Sequence, residues 1–369
     1  MPERFIELGR SSVEEAKERV KNTPVCLIIP PSTFLADERV FPFLGILKVA
    51  GELEKNGNPV EVLDLSGFSN YEEVVRSYIR GLGIRNFALT ATTPQIPAAA
   101  KILKVIRDGE PNARVILGGP HVTLTHTGVV QDLQEGRDGR ATVAWKQLES
   151  LFDKLVVGDG ELAIFQAIDP DFKNQIVDAG NLKSSLFLKR GEMDNYASPA
   201  RHLIARDTYH YEIDGHPAFS VIAQLGCPFE CGFCGGRDSN VFRVTRTRST
   251  ESIVAEIEQE VKDSIRRGNP LSGVMFYDDE LNVVPTGLEN LCRSLINLQE
   301  RLGMEMRFRG FVKAELFTPQ QAELMYKAGF RVLLSGVESG SNKLLLAMKK
   351  HTSREINNRC LTYAQNAGL

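Results

Sequence analysis

Apolar residues alternate along the first half of the chain between short runs and helical stripes. Residues 24–29 form a run stopped by Pro30 and Pro31, the mark of a buried strand. Phe43, Leu44, Leu47, Ala50 and Leu53 then recur at helical spacing until Asn56 and Gly57 close the helix. The pattern predicts a strand at 60–65, a helix at 71–82, a strand at 86–90 and a helix at 96–107 with Ile96, Ala99, Leu103 and Ile106 on one face. Strands at 115–117 and 155–157 each run straight into glycine, at Gly118-Gly119 and at Gly158-Asp159-Gly160. Strands separated by helices predict an α/β fold whose parallel sheet is covered on both faces, most simply a doubly wound, Rossmann-like domain.

Between 169 and 216 the period is lost in short polar and aromatic pieces, which reads as a linker wrapping the surface. From Ala218 the alternation resumes. Strands are predicted at 219–225, 273–277, 306–311 and 331–334, and helices at 250–267, 286–302, 319–328 and 353–367. Ser249 or Thr250 caps the first of these helices, with Glu251 at the positive end of its dipole. Four successive βα units predict part of a TIM-type (β/α) barrel with its chemistry at the strand C-termini. The expected organisation is an N-terminal lead at 1–23, the doubly wound domain at 24–168, the linker at 169–216 and the barrel at 217–369.

Composition narrows the function classes. Over 369 residues, 42% hydrophobic and 25% charged content exclude a disordered or fibrous chain. A net charge of −3 argues against nucleic acid or an anionic membrane as the main partner. With no run of eighteen apolar residues, and a charged start where a signal peptide would be apolar, the expected location is the cytoplasm. In that reducing compartment Cys26, Cys292 and Cys360 are most simply buried thiols. Cys227, Cys231 and Cys234, crowded into eight residues, read as a metal or redox site.

Three thiolates in a Gly-rich loop after a strand can hold three irons of a cubane cluster and leave the fourth open for a chelating substrate. Structural zinc is the alternative, but it wants four closed ligands, and only His210 and His216, upstream of the strand, offer a fourth. The CxxxCxxC spacing, with Phe233 before the last cysteine at the end of a first barrel strand, resembles the radical S-adenosylmethionine (SAM) superfamily. The resemblance implies a [4Fe–4S] cluster on Cys227, Cys231 and Cys234, SAM chelated to the open iron, and one-electron cleavage of SAM to a 5′-deoxyadenosyl radical. It implies further that Asp278, Asp279 and Glu280, ending the second strand, meet the SAM ammonium. The stretch from Ser335 to Ser341, with Gly336, Glu338 and Ser339, would contact the ribose, since Glu338 can accept from two hydroxyls. Arg309 and Lys313 could neutralise the SAM carboxylate or a substrate, but barrel-rim charges are the preferred reading. An electron-donor protein of flavodoxin or ferredoxin type and a small-molecule substrate are the implied partners.

In the first half, Gly118, Gly119 and His121, and then Gly158 and Glu161, follow strands where a doubly wound domain binds ligands. A glycine there is most often a turn and a lone histidine structural, and neither stretch fits GxGxxG, which disfavours a dinucleotide. The order of domains, however, resembles the cobalamin-binding radical SAM enzymes from about Pro24 onward. That resemblance implies that Gly118, Gly119, His121, Gly158 and Glu161 line cobalamin, with Thr92 in the loop near its ring. Leu225 and His351 depart from the family, standing where Arg and Gly are common. The loop at 30–42 has no histidine, so cobalt is expected without one beneath it. The implied activity is methylation of an unactivated carbon or phosphorus centre. The alternatives are radical cyclisation or rearrangement, a methylthiotransferase without cobalamin, for which the first half has only Cys26, and a non-catalytic cobalamin module. Since the chain stops after four predicted barrel strands, an incomplete barrel with an exposed edge beside 331–334 is expected, with a fragment of a longer enzyme preferred over completion by a partner.

Overall fold

A computed structural model describes residues 10–80 and 83–369; residues 1–9 of the expected lead and the end of the helix expected at 71–82 lie outside them. Residues up to 188, with 195–208 and 238–241, form one compact unit, and 189–194, 209–237 and 242–369 form a second.

The first unit is built on six parallel strands: β1 (Val25–Ile29), β2 (Val60–Asp64), β3 (Asn86–Thr90), β4 (Arg114–Gly118), β5 (Lys154–Gly158) and β6 (Ile176–Ala179), in the order β2-β1-β3-β4-β5-β6. All five residues of β1 are buried, because it sits inside the sheet with helices over both faces. The helices are α1 (Arg10–Val20), α2 (Leu44–Lys55), α3 (Tyr71–Ile79), α4 (Ile96–Gly109), α5 (Pro120–Gln134), α6 (Arg140–Leu151) and α7 (Gly160–Ile168). Ile102, Leu103 and Ile106 of α4 pack with Phe87, Leu89, Val115, Leu117 and Trp145 in one core. The chain leaves β1 in one direction to β2 and returns on its other side to β3, which makes the β1/β3 junction the topological switch point.

The second sheet runs β13-β12-β11-β8-β7. Four strands, β8 (His216–Val221), β11 (Gly273–Phe276), β12 (Arg307–Phe311) and β13 (Phe330–Leu334), are parallel, and β7 (Glu212–Ile213) is antiparallel to β8. A small ribbon pairs β9 (Gln224–Leu225) with β10 (Arg246–Thr247). The helices are α8 (Asn240–Arg243), α9 (Thr250–Arg266), α10 (Pro285–Leu302), α11 (Pro319–Ala328), α12 (Asn342–Ala347) and α13 (Arg354–Ala367). Under α9, α10 and α11 the fully buried rings of Phe276, Phe308 and Phe330 lie 5.4–6.1 Å apart, a spacing suited to offset or tilted aromatic pairs. Ser249 caps α9 by accepting from the Ser252 N–H, as expected. The barrel sheet is partly closed, and among the described residues β13 pairs only with β12.

Four expectations change. Residues 169–216 contain β6, which extends the first sheet, and β7, which extends the second; β6 has only four residues, too few for a visible period. Within the expected lead, Val13, Ala16 and Val20 form the buried stripe of α1, and Arg19 pairs with Asp169 at 2.6 Å. Helices α5 and α6 are not picked out by apolar periodicity, because α5 buries Thr123, Thr125 and Asp132 beside Val122. The strand expected at 219–225 ends at Val221, where the chain leaves the sheet to form the ribbon.

Candidate functional site

Leu225 faces Arg246 across the β9–β10 ribbon, so residues 226–245 form a loop closed at its base, and all three clustered cysteines lie in it. Gly226 has φ +83, and a Cβ there would collide with the Val244 carbonyl oxygen, so only glycine permits this closure. The Cys227 N–H donates to the Phe242 carbonyl at 2.8 Å, Cys234 to Cys231 at 3.0 Å, and Gly232 to Met348 at 2.7 Å. The three thiols are free; Cys231 is buried, Cys227 half-buried and Cys234 exposed. Burial raises the Cys227 thiol, and the nearby carboxylates of Glu280 and Asp279 add to this.

The acidic residues after β11 brace this loop. Asp278 Oδ1 accepts the Ala223 N–H at 2.8 Å and also that of Gln224, while Asp279 Oδ2 accepts the Gly226 N–H at 3.0 Å. Gln224 in turn donates to the Glu280 carbonyl at 2.9 Å. Burial pushes the Asp278 carboxyl up to about 8 against those two N–H groups, and Glu280 up to about 7 against Lys313 and Lys350. Asp278 Oδ2 and Glu280 Oε2 are buried without a protein hydrogen-bond partner. Two of the three acids are therefore partly spent on the loop, and two acceptor oxygens remain open.

The stretch after β13 meets the cysteine loop from the other side. Glu338 adopts φ +54, and its Oε1 lies 3.1 Å from Lys350 Nζ. A Cβ on Gly336 would stand 2.5 Å from Glu338 Oε1 and 2.9 Å from Lys350 Nζ, so this glycine makes room for the pair. The Ser339 hydroxyl accepts from the Ser341 N–H at 3.1 Å. Phe233 is half exposed, with Lys350 Nζ 5.6 Å from its ring centroid. Lys313 is buried and pairs with Glu315 at 2.6 Å. Arg309 is half-buried within β12, its Nε lacks a hydrogen-bond partner and its guanidinium lies 5.4 Å from the Tyr211 ring centroid. Neither is a solvated rim charge, contrary to the preferred sequence reading. Lys350 and Gln224 are what sequence reasoning missed; the only signal for Lys350 was its place in the Met348–Thr352 stretch.

In the first unit, the switch point brings the β1 and β3 loops together: Gln95 Nε2 donates to the Pro30 carbonyl at 2.6 Å, and Gln95 Oε1 accepts from Thr92 N–H and Oγ1 at 2.9 Å. His121 Nδ1 lies 3.0 Å from Thr93 Oγ1, and burial lowers the imidazole's pKa. Gly118 ends β4 with room for ordinary contacts around a Cβ. Gly119 (φ +93) and Gly158 (φ +90) have a different reason to be glycine: a Cβ at Gly119 would stand 2.5 Å from Thr90 Oγ1, and one at Gly158 would stand 2.6 Å from the Ala179 carbonyl carbon. Their smallness serves the neighbouring strands. Glu161 is buried against Lys48 at 3.4 Å. The switch point therefore offers hydroxyl and imidazole groups, and its loop at 30–42 carries no histidine.

Among the described residues no three His, Cys, Asp or Glu side chains converge as the ligands of a single ion would. The cysteines of a cubane each bind a different iron and need not share one point. Three free thiols in one closed loop, with two open buried carboxylate oxygens near it, fit a cluster with an aminoacyl ligand. Among the described residues no helix is long and apolar enough to cross a membrane.

Comparison with known proteins agrees on both halves. Residues 221–369 match the radical SAM superfamily and residues 38–163 match the B12 binding domain. An uncharacterised methyltransferase of Pyrococcus horikoshii is 23% identical, over 95% of this chain and 73% of its own length. The anaerobic magnesium-protoporphyrin IX monomethyl ester cyclase of Rubrivivax gelatinosus is also 23% identical, over 89% of this chain but 57% of its own length. The structure of the radical SAM methyltransferase TsrM from Kitasatospora setae, with cobalamin and a [4Fe–4S] cluster bound, superposes with a TM-score of 0.67 at 17% identity, covering 94% of this chain and 65% of that one. The chain thus spans only part of the length of these proteins. With a B12 domain followed by a radical SAM sheet, the chain belongs to the radical SAM enzymes that carry a B12-binding domain, and its cofactors are a [4Fe–4S] cluster, SAM and cobalamin.

Proposed function

We propose that the protein is a cobalamin-dependent methyltransferase acting on an unactivated carbon or phosphorus centre of a small molecule. The observation that carries this reading is the braced cysteine loop: three free thiols in one closed loop, beside buried carboxylate oxygens that no protein group satisfies. When bound, the cluster supplies an electron to the sulfonium of SAM and cobalamin supplies a carrier for the methyl group. Cys227, Cys231 and Cys234 hold three irons and leave the fourth to SAM. Beside the SAM ammonium the Asp278 and Glu280 carboxyls would ionise, and Asp278 Oδ2 and Glu280 Oε2 would accept from it, since a buried carboxylate oxygen without a donor is otherwise costly. Glu338 accepts the ribose hydroxyls, with Gly336, Ser339 and Phe233 beside it. In the first unit Thr92, Gly118, Gly119, His121, Gly158 and Glu161 border cobalamin. A cytoplasmic donor of flavodoxin or ferredoxin type supplies the electron.

The cyclase relative favours a second reading, radical cyclisation. Reduced protein carrying hydroxocobalamin, given SAM without further substrate, distinguishes them. Methyl transfer predicts about one equivalent of S-adenosylhomocysteine per bound cobalamin. Cyclisation predicts no more than the cobalamin-free control.

A further inference from the structure

Two buried lysines flank the cysteine loop, and the function above uses neither charge. Lys313 Nζ lies 4.2 Å from the Phe229 ring centroid and 2.6 Å from Glu315 Oε1. Lys350 Nζ lies 5.6 Å from the Phe233 ring centroid and 3.1 Å from Glu338 Oε1. Phe229 and Phe233 are the two aromatic residues between Cys227 and Cys234, so each ammonium rests against the loop within two residues of a cysteine. In both pairs the carboxylate is the more exposed partner, and Glu338 is more exposed than Glu315, which is 15% exposed. The Lys350 side chain is 10% exposed while its partner Glu338 is 32% exposed, so water screens the carboxylate more than the ammonium. Lys350 also interacts electrostatically with Cys231 and Glu280.

A cluster on three thiolates gains one negative charge when reduced. A nearby buried cation favours that state and a carboxylate opposes it, because charges separated by protein interact more strongly than charges separated by water. We infer that Lys350 raises the reduction potential of the cluster held by Cys227, Cys231 and Cys234, and that Glu338 is the carboxylate that opposes it. The inference rests on the cysteines being the cluster ligands. One electron enters the cluster on reduction, and Lys350 stays charged throughout without gaining or losing a proton.

The test is a potentiometric titration of the anaerobically reconstituted full chain without SAM. Dithionite and mediator dyes set the potential, and the EPR signal of the reduced cluster reports the fraction reduced. Lys350→Met should move the midpoint to more negative potential, Glu338→Gln should move it to more positive potential, and Lys350→Arg should match the wild type. An unmoved midpoint in a Lys350→Met variant with full iron and sulfide overturns the inference. So does a shift of Lys350→Met and Glu338→Gln in the same direction, the result of loosened packing. If Lys350→Met fails to hold a cluster, Glu338→Gln decides alone, and a midpoint no higher than wild type overturns it. A wild type that binds no cluster is a separate failure, visible as iron content before any titration, and it removes the cysteine reading together with this one.

Discussion

Asp278 combines complete burial with two backbone N–H donors on one oxygen. Its carboxyl, ordinarily near 3.8, is pushed up to about 8 by burial, so between those values the folded chain keeps a proton that the unfolded chain has released. The stability this group contributes is full below pH 3.8 and is lost as pH rises through about 8. Thermal unfolding of the metal-free chain should therefore show Tm falling between roughly pH 5 and pH 8 more steeply in the wild type than in Asp278→Asn, which keeps an acceptor without the charge. Equal slopes would remove Asp278 as the cause. Asp278→Ala, which strands two buried N–H groups, should cost about 2–3 kcal/mol in denaturant unfolding. His351 holds φ +57, a left-handed conformation that costs a side chain energy but glycine almost none. Its departure from the family's common glycine thus has a backbone meaning, and His351→Gly should stabilise the chain by roughly 1 kcal/mol. An unchanged or lower denaturation midpoint would contradict it. At this scale the cysteine triplet stands out in the sequence because its spacing is local. Lys350 does not, because its partner Phe233 lies in a distant loop, and the close neighbours of Gly119 and Gly158, Thr90 and Ala179, are also distant in sequence.

Among the elements, the ribbon of β9 and β10 converts a strand that sequence would continue into a closed loop, and it does so with the carboxylates of Asp278 and Asp279 after β11 that no local pattern connects to it. The β7–β8 hairpin was legible and overlooked. Asp214 and Gly215, at φ +52 and φ +76, form the two-residue turn of opposite hand that Asp-Gly favours, hidden in a stretch without apolar alternation. Gly215→Val forces a branched side chain into that conformation and should cost about 1–2 kcal/mol. It should also speed amide exchange at Ala218, whose N–H donates to the Tyr211 carbonyl at 2.8 Å. Unaltered exchange there would mean that the turn does not hold the hairpin. Strands β1, β3, β4, β5 and β11 were readable because each buries a compact apolar run, whereas β6 is too short to show a period and α5, with its buried threonines, has no stripe to read.

For the whole molecule, the division of labour follows from which residues each unit carries. The switch point of the first sheet has hydroxyls and an imidazole; the one cysteine in that half of the sequence, Cys26, lies near the other end of β1, its thiol pushed up to about 12 by burial. The second unit carries the free cysteine triplet. The two halves were legible in order and kind, since βα alternation and clustered cysteines are visible in one sequence. The boundary between them was not, because the segment expected to link them supplies an edge strand to each sheet. Whether three cysteines hold a cluster with one iron left open for SAM is decided by EPR of the anaerobically reconstituted, dithionite-reduced chain recorded with and without SAM. The chain should hold about four irons, its cluster signal should change shape when SAM is added, and Cys231→Ala should lose both iron and signal. A signal indifferent to SAM, or equal iron in Cys231→Ala and wild type, would contradict that assignment.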